Sequence, residues 1–281
     1  GVVAAEAPGQ LATVQSGTVS GDLYVRAYQP VPWGNQPSPS PTLTSREFTQ
    51  AFTLPAGASG ANVAWARLYL SVYAGSADPG YKALTNVSFD GNGDGTFEAT
   101  LGNETMETAL GSTDGTVYTV NDHCNRVYSD FLAWYDVTGA IAATGPAVRI
   151  TTQQYGPASY DGRLKAVALV VAYNDGDGDQ VRYWVNQGHA WIDSGTTVTS
   201  FATSSVPSGF SAATLSNLAL SSKDGTYTFN GNALSGANPV APINFFENHT
   251  WDVTSMVTPG SGSTLSMGLG SGAGSFKTVL A

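Results

Sequence analysis

Between Val63 and Ala74 every even position is small or apolar (Ala64, Ala66, Leu68, Leu70, Val72, Ala74). The odd positions mix Arg67 and Ser71 with Trp65, Tyr69 and Tyr73. A period of two sends alternate side chains to opposite faces of a sheet, so this stretch predicts a strand with one buried face. Ala166 to Tyr173 is apolar throughout, which predicts a central strand buried on both faces. Turn pairs punctuate the runs at Asp90-Gly91, Asp114-Gly115, Asp161-Gly162, Asp224-Gly225 and Asn230-Gly231. No window longer than about ten residues carries a helical stripe, and the fold class read from the pattern is all-β.

The second half of the chain repeats the first. Trp134-Tyr135-Asp136-Val137-Thr138 leads to Ala147-Val148-Arg149-Ile150 and Leu164-Lys165-Ala166-Val167. In the same order, Trp251-Asp252-Val253-Thr254 leads to Thr264-Leu265-Ser266-Met267 and Phe276-Lys277-Thr278-Val279. Upstream, Phe52 followed by Ala66–Leu70 parallels Phe201 followed by Leu215–Leu220. Val87-Ser88-Phe89-Asp90-Gly91 likewise parallels Tyr227-Thr228-Phe229-Asn230-Gly231. Matched segments in one order mean two copies of one domain. The expected architecture is two tandem jelly-roll-like β-sandwiches, residues 48–180 and 181–281, behind an N-terminal extended arm. Residues 1–47 hold that arm, an extra strand at Gly21–Tyr28, and a connector with Pro30, Pro32, Pro37, Pro39 and Pro41. In both D-V-T triplets the threonine, Thr138 or Thr254, is expected to cap a one-turn helix, with Asp136 and Asp252 bonding local backbone.

Charged residues make up only 11% of the chain, and the net charge is −10, against roughly 25% charged residues in an average domain. An acidic, Lys-poor surface excludes nucleic acid and anionic membranes as partners, since both require basic patches. No apolar run approaches the ~20 residues of a membrane span. The opening Gly1-Val2-Val3 without an initiator Met suggests a removed leader. Cys124 is the single cysteine, which rules out an internal disulfide. It is a candidate for an intermolecular bridge, or a buried small hydrophobe.

Two acidic loops are candidate calcium sites. Asp90, Asn92 and Asp94 with Gly95 reproduce the D-x-N-x-D-G opening of a calcium loop, and Glu98 sits at position nine. Leu101 occupies position twelve, where the loop normally has a bidentate carboxylate. Asp175, Asp177 and Asp179 place like charges at alternate positions of the inter-copy linker, and a divalent cation would relieve their repulsion. The competing reading of both loops is acidic turn chemistry. His123, His189 and His249 lack metal-ligand spacing, and Asp136, Asp193, Glu247 and Asp252 could be paired as glycosidase carboxylates only on paper. Asn86, Asn103 and Asn248 head glycosylation sequons. Trp33 and Trp191 are candidate sugar-stacking aromatics.

Trp65-Ala66-Arg67-Leu68-Tyr69, Asp161-Gly162-Arg163-Leu164, Tyr183-Trp184-Val185-Asn186-Gln187-Gly188, Phe229-Asn230-Gly231 and Trp251-Asp252-Val253-Thr254 resemble an uncharacterised family of extracellular proteins common in methanogenic archaea. The resemblance covers roughly residues 20–281 and brings no catalytic residues with it. It implies a secreted, glycosylated protein of the cell envelope. The function expected is therefore a structural subunit of a sheath, filament or surface layer, partnered by copies of itself rather than an enzyme. Leu11, Val14, Val19, Leu23 and Val25 from the arm, with Val279 and Leu280 from a short final strand, are the expected connectors, through open-edge or donor-strand pairing. A carbohydrate-binding adhesin with glycan partners is the alternative reading, and a secreted polysaccharide hydrolase the third.

Overall fold

The computed structural model describes residues 9–109, 111, 113–220, 225–234, 245–270 and 274–281. The strands are β1 (Ala12–Val19), β2 (Asp22–Tyr28), β3 (Ser45–Ala51), β4 (Val63–Tyr73), β5 (Lys82–Asp90), β6 (Ala99–Glu107), β7 (Tyr118–Asn121), β8 (Cys124–Val127), β9 (Asp130–Asp136) and β10 (Ala147–Gln154). They continue as β11 (Arg163–Tyr173), β12 (Val181–Ile192), β13 (Thr196–Phe201), β14 (Thr214–Ala219), β15 (Thr226–Phe229), β16 (Asn232–Ala233), β17 (Glu247–Asp252), β18 (Ser263–Gly268) and β19 (Phe276–Leu280). The protein is all-β.

Two compact units divide the chain. One comprises Thr18–Asp114 and Tyr118–Val181; the other comprises Gly1–Gly17, Gly115–Val117 and Arg182–Ala281. The amino-proximal unit has sheets of order β2-β11-β4-β9-β8-β7 and β3-β10-β5-β6, and the carboxy-proximal unit has β1-β12-β19-β14-β17 and β13-β18-β15-β16. Setting aside β1 and the β7–β8 hairpin, the two units match strand for strand. In each, the repeated strands run 1-8-3-6 in one sheet and 2-7-4-5 in the other, which is the order of a jelly roll. The duplication in the sequence is thus a duplication of topology.

Each unit's two sheets share a core. In the amino-proximal unit Leu68, Leu70, Val167 and Leu169 meet Phe48, Val87, Phe89, Val148 and Ile150. In the carboxy-proximal unit Leu215, Ala219, Trp251 and Phe276 meet Phe201, Phe229, Leu265 and Met267. β11 is buried on both faces from Leu164 to Tyr173. β4 departs from its simple alternation: Leu68 to Val72 are all buried, Tyr69 and Ser71 included. Asn230 (φ 49°) and Gly231 (φ 78°) make the two-residue turn between β15 and β16. Both residues are left-handed there, as a hairpin of this type requires. Asp224 of the Asp224-Gly225 pair lies outside the described residues.

Residues 9–47 do not stand apart as an arm, and the strand expected to be extra at Gly21–Tyr28 is β2, which holds in its unit the place that β12 holds in the other. β1 is the edge strand beside β12, and β2 pairs with β11 from Asp22↔Tyr173 to Tyr28↔Val167. Leu11 is 2% exposed and belongs to the carboxy-proximal core. The final strand is not an open edge either, because β19 lies between β12 and β14. The proline-rich stretch carries a 3-10 turn at Trp33–Asn35. Gln36 pins this stretch: its side-chain amide donates to Leu164 O at 2.7 Å and accepts from Leu164 N at 2.9 Å.

Candidate functional site

The β5–β6 loop brings carboxylates together. Oxygens of Asp90, Asp94 and Glu98 all lie within 4.8 Å of one another. Asp90 ends β5 and is 1% exposed. Its two oxygens accept from Gly93 N at 2.7 Å and Gly95 N at 2.8 Å, which curls the loop back on itself. Asp94 accepts from Thr96 N at 2.8 Å and from Asn92 Nδ2 at 3.1 Å. Those bonds hold the fully exposed Asp94 carboxyl below the usual range. Glu98 accepts from Gly91 N at 3.3 Å. Leu101, at the twelfth position, packs against the core. Three carboxylates and the Asn92 amide oxygen are the ligand types calcium takes, with water completing the shell.

The second acidic loop behaves differently. Asp175 and Asp177 each accept from a backbone N–H two residues on, Asp177 N at 3.1 Å and Asp179 N at 2.9 Å. Successive side-chain turns point the three exposed carboxylates outward, and they form no convergent group. Of the two calcium expectations, only the Asp90–Glu98 loop has converging ligands.

A polar cluster that the residue spacing did not reveal joins β6 to the β7–β8 turn. Glu104, 5% exposed, accepts from Asn121 Nδ2 at 2.7 Å and Tyr135 OH at 3.1 Å, and its Oε1 also meets His123 Nε2. The other imidazole nitrogen faces Asp122 Oδ1 at 2.6 Å. Burial alone would lower the His123 pKa. The bonds to Asp122 and Glu104 and their charges outweigh it, so the net shift is upward. The only sequence signal was an Asp-His pair at a tight turn; Glu104 lies nineteen residues away. A related buried pair occupies the other unit. There Glu247 accepts from Tyr227 OH and His249 Nε2, both at 2.8 Å, and from Gly225 N at 3.0 Å, while His249 stacks on Trp251 with ring centroids 4.8 Å apart.

The remaining candidates sit mostly in structural roles. Asp136 accepts from Thr138 N at 2.8 Å, and Asp252 from Thr254 N at 2.9 Å. The threonine hydroxyls are not helix caps. They accept instead from Ala66 N and Ala213 N, both at 2.9 Å, tying each triplet to the residue at or just before the neighbouring strand. Glu247 and Asp252 are on one strand but differ in parity, one facing the core and the other exposed. Cys124 is fully buried, so a bridge to another chain has no access to its sulfur. Asn103 is exposed and sits directly opposite half-buried Asn86 on β5, while Asn248 is half-buried in β17. Trp33 already carries Arg163 over its ring at 4.3 Å and meets Tyr73 edge-on; Trp191 is half-buried.

Of the expected connectors, Leu11, Val19, Val279 and Leu280 are buried within the chain, and Leu23 and Val25 are half-buried in β2. Val14, 39% exposed, is the one that points outward. It sits on β1, which among the described residues is an edge strand of its sheet. β1 reads Ala-Thr-Val-Gln-Ser-Gly-Thr-Val, with no charge and no proline in eight residues. Three other edges are better guarded. β3 carries Arg46 and Glu47, and β6 carries Glu104 and Glu107. On β13 the carbonyls of Val198 and Ser200 are taken by the side-chain amides of Gln10 and Asn186.

A protein-family profile described as a protein of unknown function, DUF3344, matches residues 6–281. No protein of curated function matches the chain. Among solved structures, the chain is similar to Streptomyces avermitilis alpha-L-rhamnosidase complexed with L-rhamnose, at 14% identity and a TM-score of 0.28. The match covers 94% of this chain but spans only 25% of the enzyme. It is also similar to a Parabacteroides distasonis protein classed provisionally as secreted, at 10% identity and a TM-score of 0.29, covering 96% and 97% of the two chains. Among the described residues no helix is long and apolar enough to cross a membrane.

Proposed function

The chain belongs to the DUF3344 family of proteins of unknown function, and on that footing we propose that it is a structural subunit of an extracellular surface assembly, joined to copies of itself by edge-to-edge β pairing. One observation carries the reading: β1 is an eight-residue edge strand with neither charge nor proline, and it presents Val14 to solvent. Soluble proteins ordinarily protect such edges with lysine, proline or a bulge, because a free row of N–H and C=O groups templates another strand. Low overall charge fits close lateral contact, since few ions need desolvating at each junction. In this reading calcium at Asp90, Asp94 and Glu98 stiffens the β5–β6 loop and takes no part in chemistry.

The test is the size of the full chain by light scattering and negative-stain microscopy, beside a V14K/S16K double variant. Concentration-dependent ordered polymers in the parent chain that vanish in the folded variant support edge pairing at β1. A monomer at every concentration, or polymers indifferent to the substitutions, overturns it.

A further inference from the structure

A protein built for the outside of a cell is commonly stapled by disulfides, and this one, with a single buried cysteine, has none within the chain. The amino-proximal unit holds another pair of side chains placed for covalent closure. Lys165 Nζ lies 2.8 Å from Asp130 Oδ2, with side-chain exposures of 6% and 0%. Asp130 opens β9 opposite Tyr73 of β4. Lys165 sits in β11 where the register against β4 slips between Leu164 and Ala166. β4 runs between β9 and β11, so the pair reaches across the middle strand. The lysine is fixed from several sides. Gln29 donates to its carbonyl at 3.0 Å, Gln36 clamps the preceding residue, and the Tyr73 ring centroid is 5.0 Å from Nζ. Trp33 closes over Tyr73 with ring centroids 5.3 Å apart.

We propose that Lys165 and Asp130 become joined by an intramolecular amide bond. In water the ammonium is no nucleophile and the carboxylate no electrophile. Buried together, the two charges carry a desolvation cost that their attraction only partly offsets. Passing the proton from nitrogen to oxygen gives a neutral amine in contact with a neutral carboxyl. The Nζ lone pair then adds to Cγ, a C–N bond forms, and the Cγ–OH bond breaks. The hydroxyl leaves with a proton from the nitrogen as one water. The net change is ammonium plus carboxylate to amide plus water, with no oxidant, metal or cofactor in the balance. Fixed reactants raise the effective concentration enough for an otherwise slow condensation to proceed, and a neutral amide replaces two buried ions.

The second copy provides an internal control. Lys277 repeats Lys165, but counting back along β17 from Asp252 as along β9 from Asp136 brings Phe246 to the place of Asp130. The bond is therefore particular to the amino-proximal unit.

Intact mass spectrometry of the denatured full chain, produced in a host that does not glycosylate asparagine, decides the matter. The expected mass is about 18 Da below that of the sequence, the water lost on amide formation. Proteolysis should yield one branched peptide containing Asp130 and Lys165. K165R, which keeps the charge but cannot form the bond, and D130A should each return to the mass of their own sequence; K277R should keep the deficit. A full sequence mass for the folded parent chain after prolonged incubation, or a deficit that survives in K165R, overturns the proposal.

Discussion

Gly91 and Gly231 occupy matching places in the two copies, yet they are glycine for different reasons. A Cβ on Gly91 would stand 1.8 Å from Ala140 O, so backbone passes where a side chain would be. Gly231 has open space around it but a φ of 78°. Alanine at either should destabilise, by about 1–3 kcal/mol at 91 through forced displacement and about 1–2 kcal/mol at 231 through the left-handed backbone. Asparagine separates the causes in urea titrations: G231N should recover most of the loss, and G91N should be worse than G91A. Burial, with the Glu104 charge adding to it, pushes the Cys124 thiol far up. The native chain should thus resist thiol reagents at mildly alkaline pH and react once unfolded; labelling at the same rate in both states would contradict the burial. His123 gives a pH signature. Its folded pKa is raised, so its contribution to stability is complete below the unfolded value, about 6.5, and is lost as pH rises through the folded value. The melting-temperature gap between the parent chain and H123Q should be widest near pH 5 and shrink by pH 9. A gap constant across that range would remove His123 from the account. Calcium should raise the melting temperature of the parent chain more than that of D94N if the β5–β6 loop holds the ion.

At the scale of elements, β1 shows where reading the sequence ran out. Its apolar residues are sparse, so the sequence showed only an extended arm with no counterpart in either repeat, and not that Ala12–Val19 is a strand. What the pattern could not convey is which sheet it completes, because its partners lie far along the chain. Thr13 Oγ1 donates to Asn186 Oδ1 at 2.6 Å, Thr199 Oγ1 donates to Leu11 O at 2.8 Å, and His189 N donates to Gly9 O at 3.0 Å. Nothing local encodes pairs of this kind. The same limit hid the Glu104 cluster and the Lys165–Asp130 pair, each assembled from separate strands. The Asp90–Glu98 loop, by contrast, was visible because its ligands are neighbours in sequence. L11A should cost about 2–5 kcal/mol, the usual loss for a leucine removed from a packed core. Chemical denaturation measures this directly, and a loss under about 1 kcal/mol would mean that the segment merely lies against the surface.

At the scale of the molecule, duplication was the most secure reading because order and spacing of whole segments are hard to match by accident. The strand orders of the two units agree with it throughout the repeat. What differs between the copies lies at the margins: β1 on one sheet, and the β7–β8 hairpin on another. Surface roles tend to sit on such additions, since the shared framework is constrained by its core.

The placement of β1 also has a consequence in time. Thr13 and Asn186 are 173 residues apart, and a ribosome adding about 5–20 residues per second needs roughly 10–35 seconds to cover that distance. β1 thus waits for β12, which is made long after it. Synthesis that stops before β12 leaves an uncharged strand with no seat, which a cell must either move outward unfolded or shield until the rest of the chain arrives.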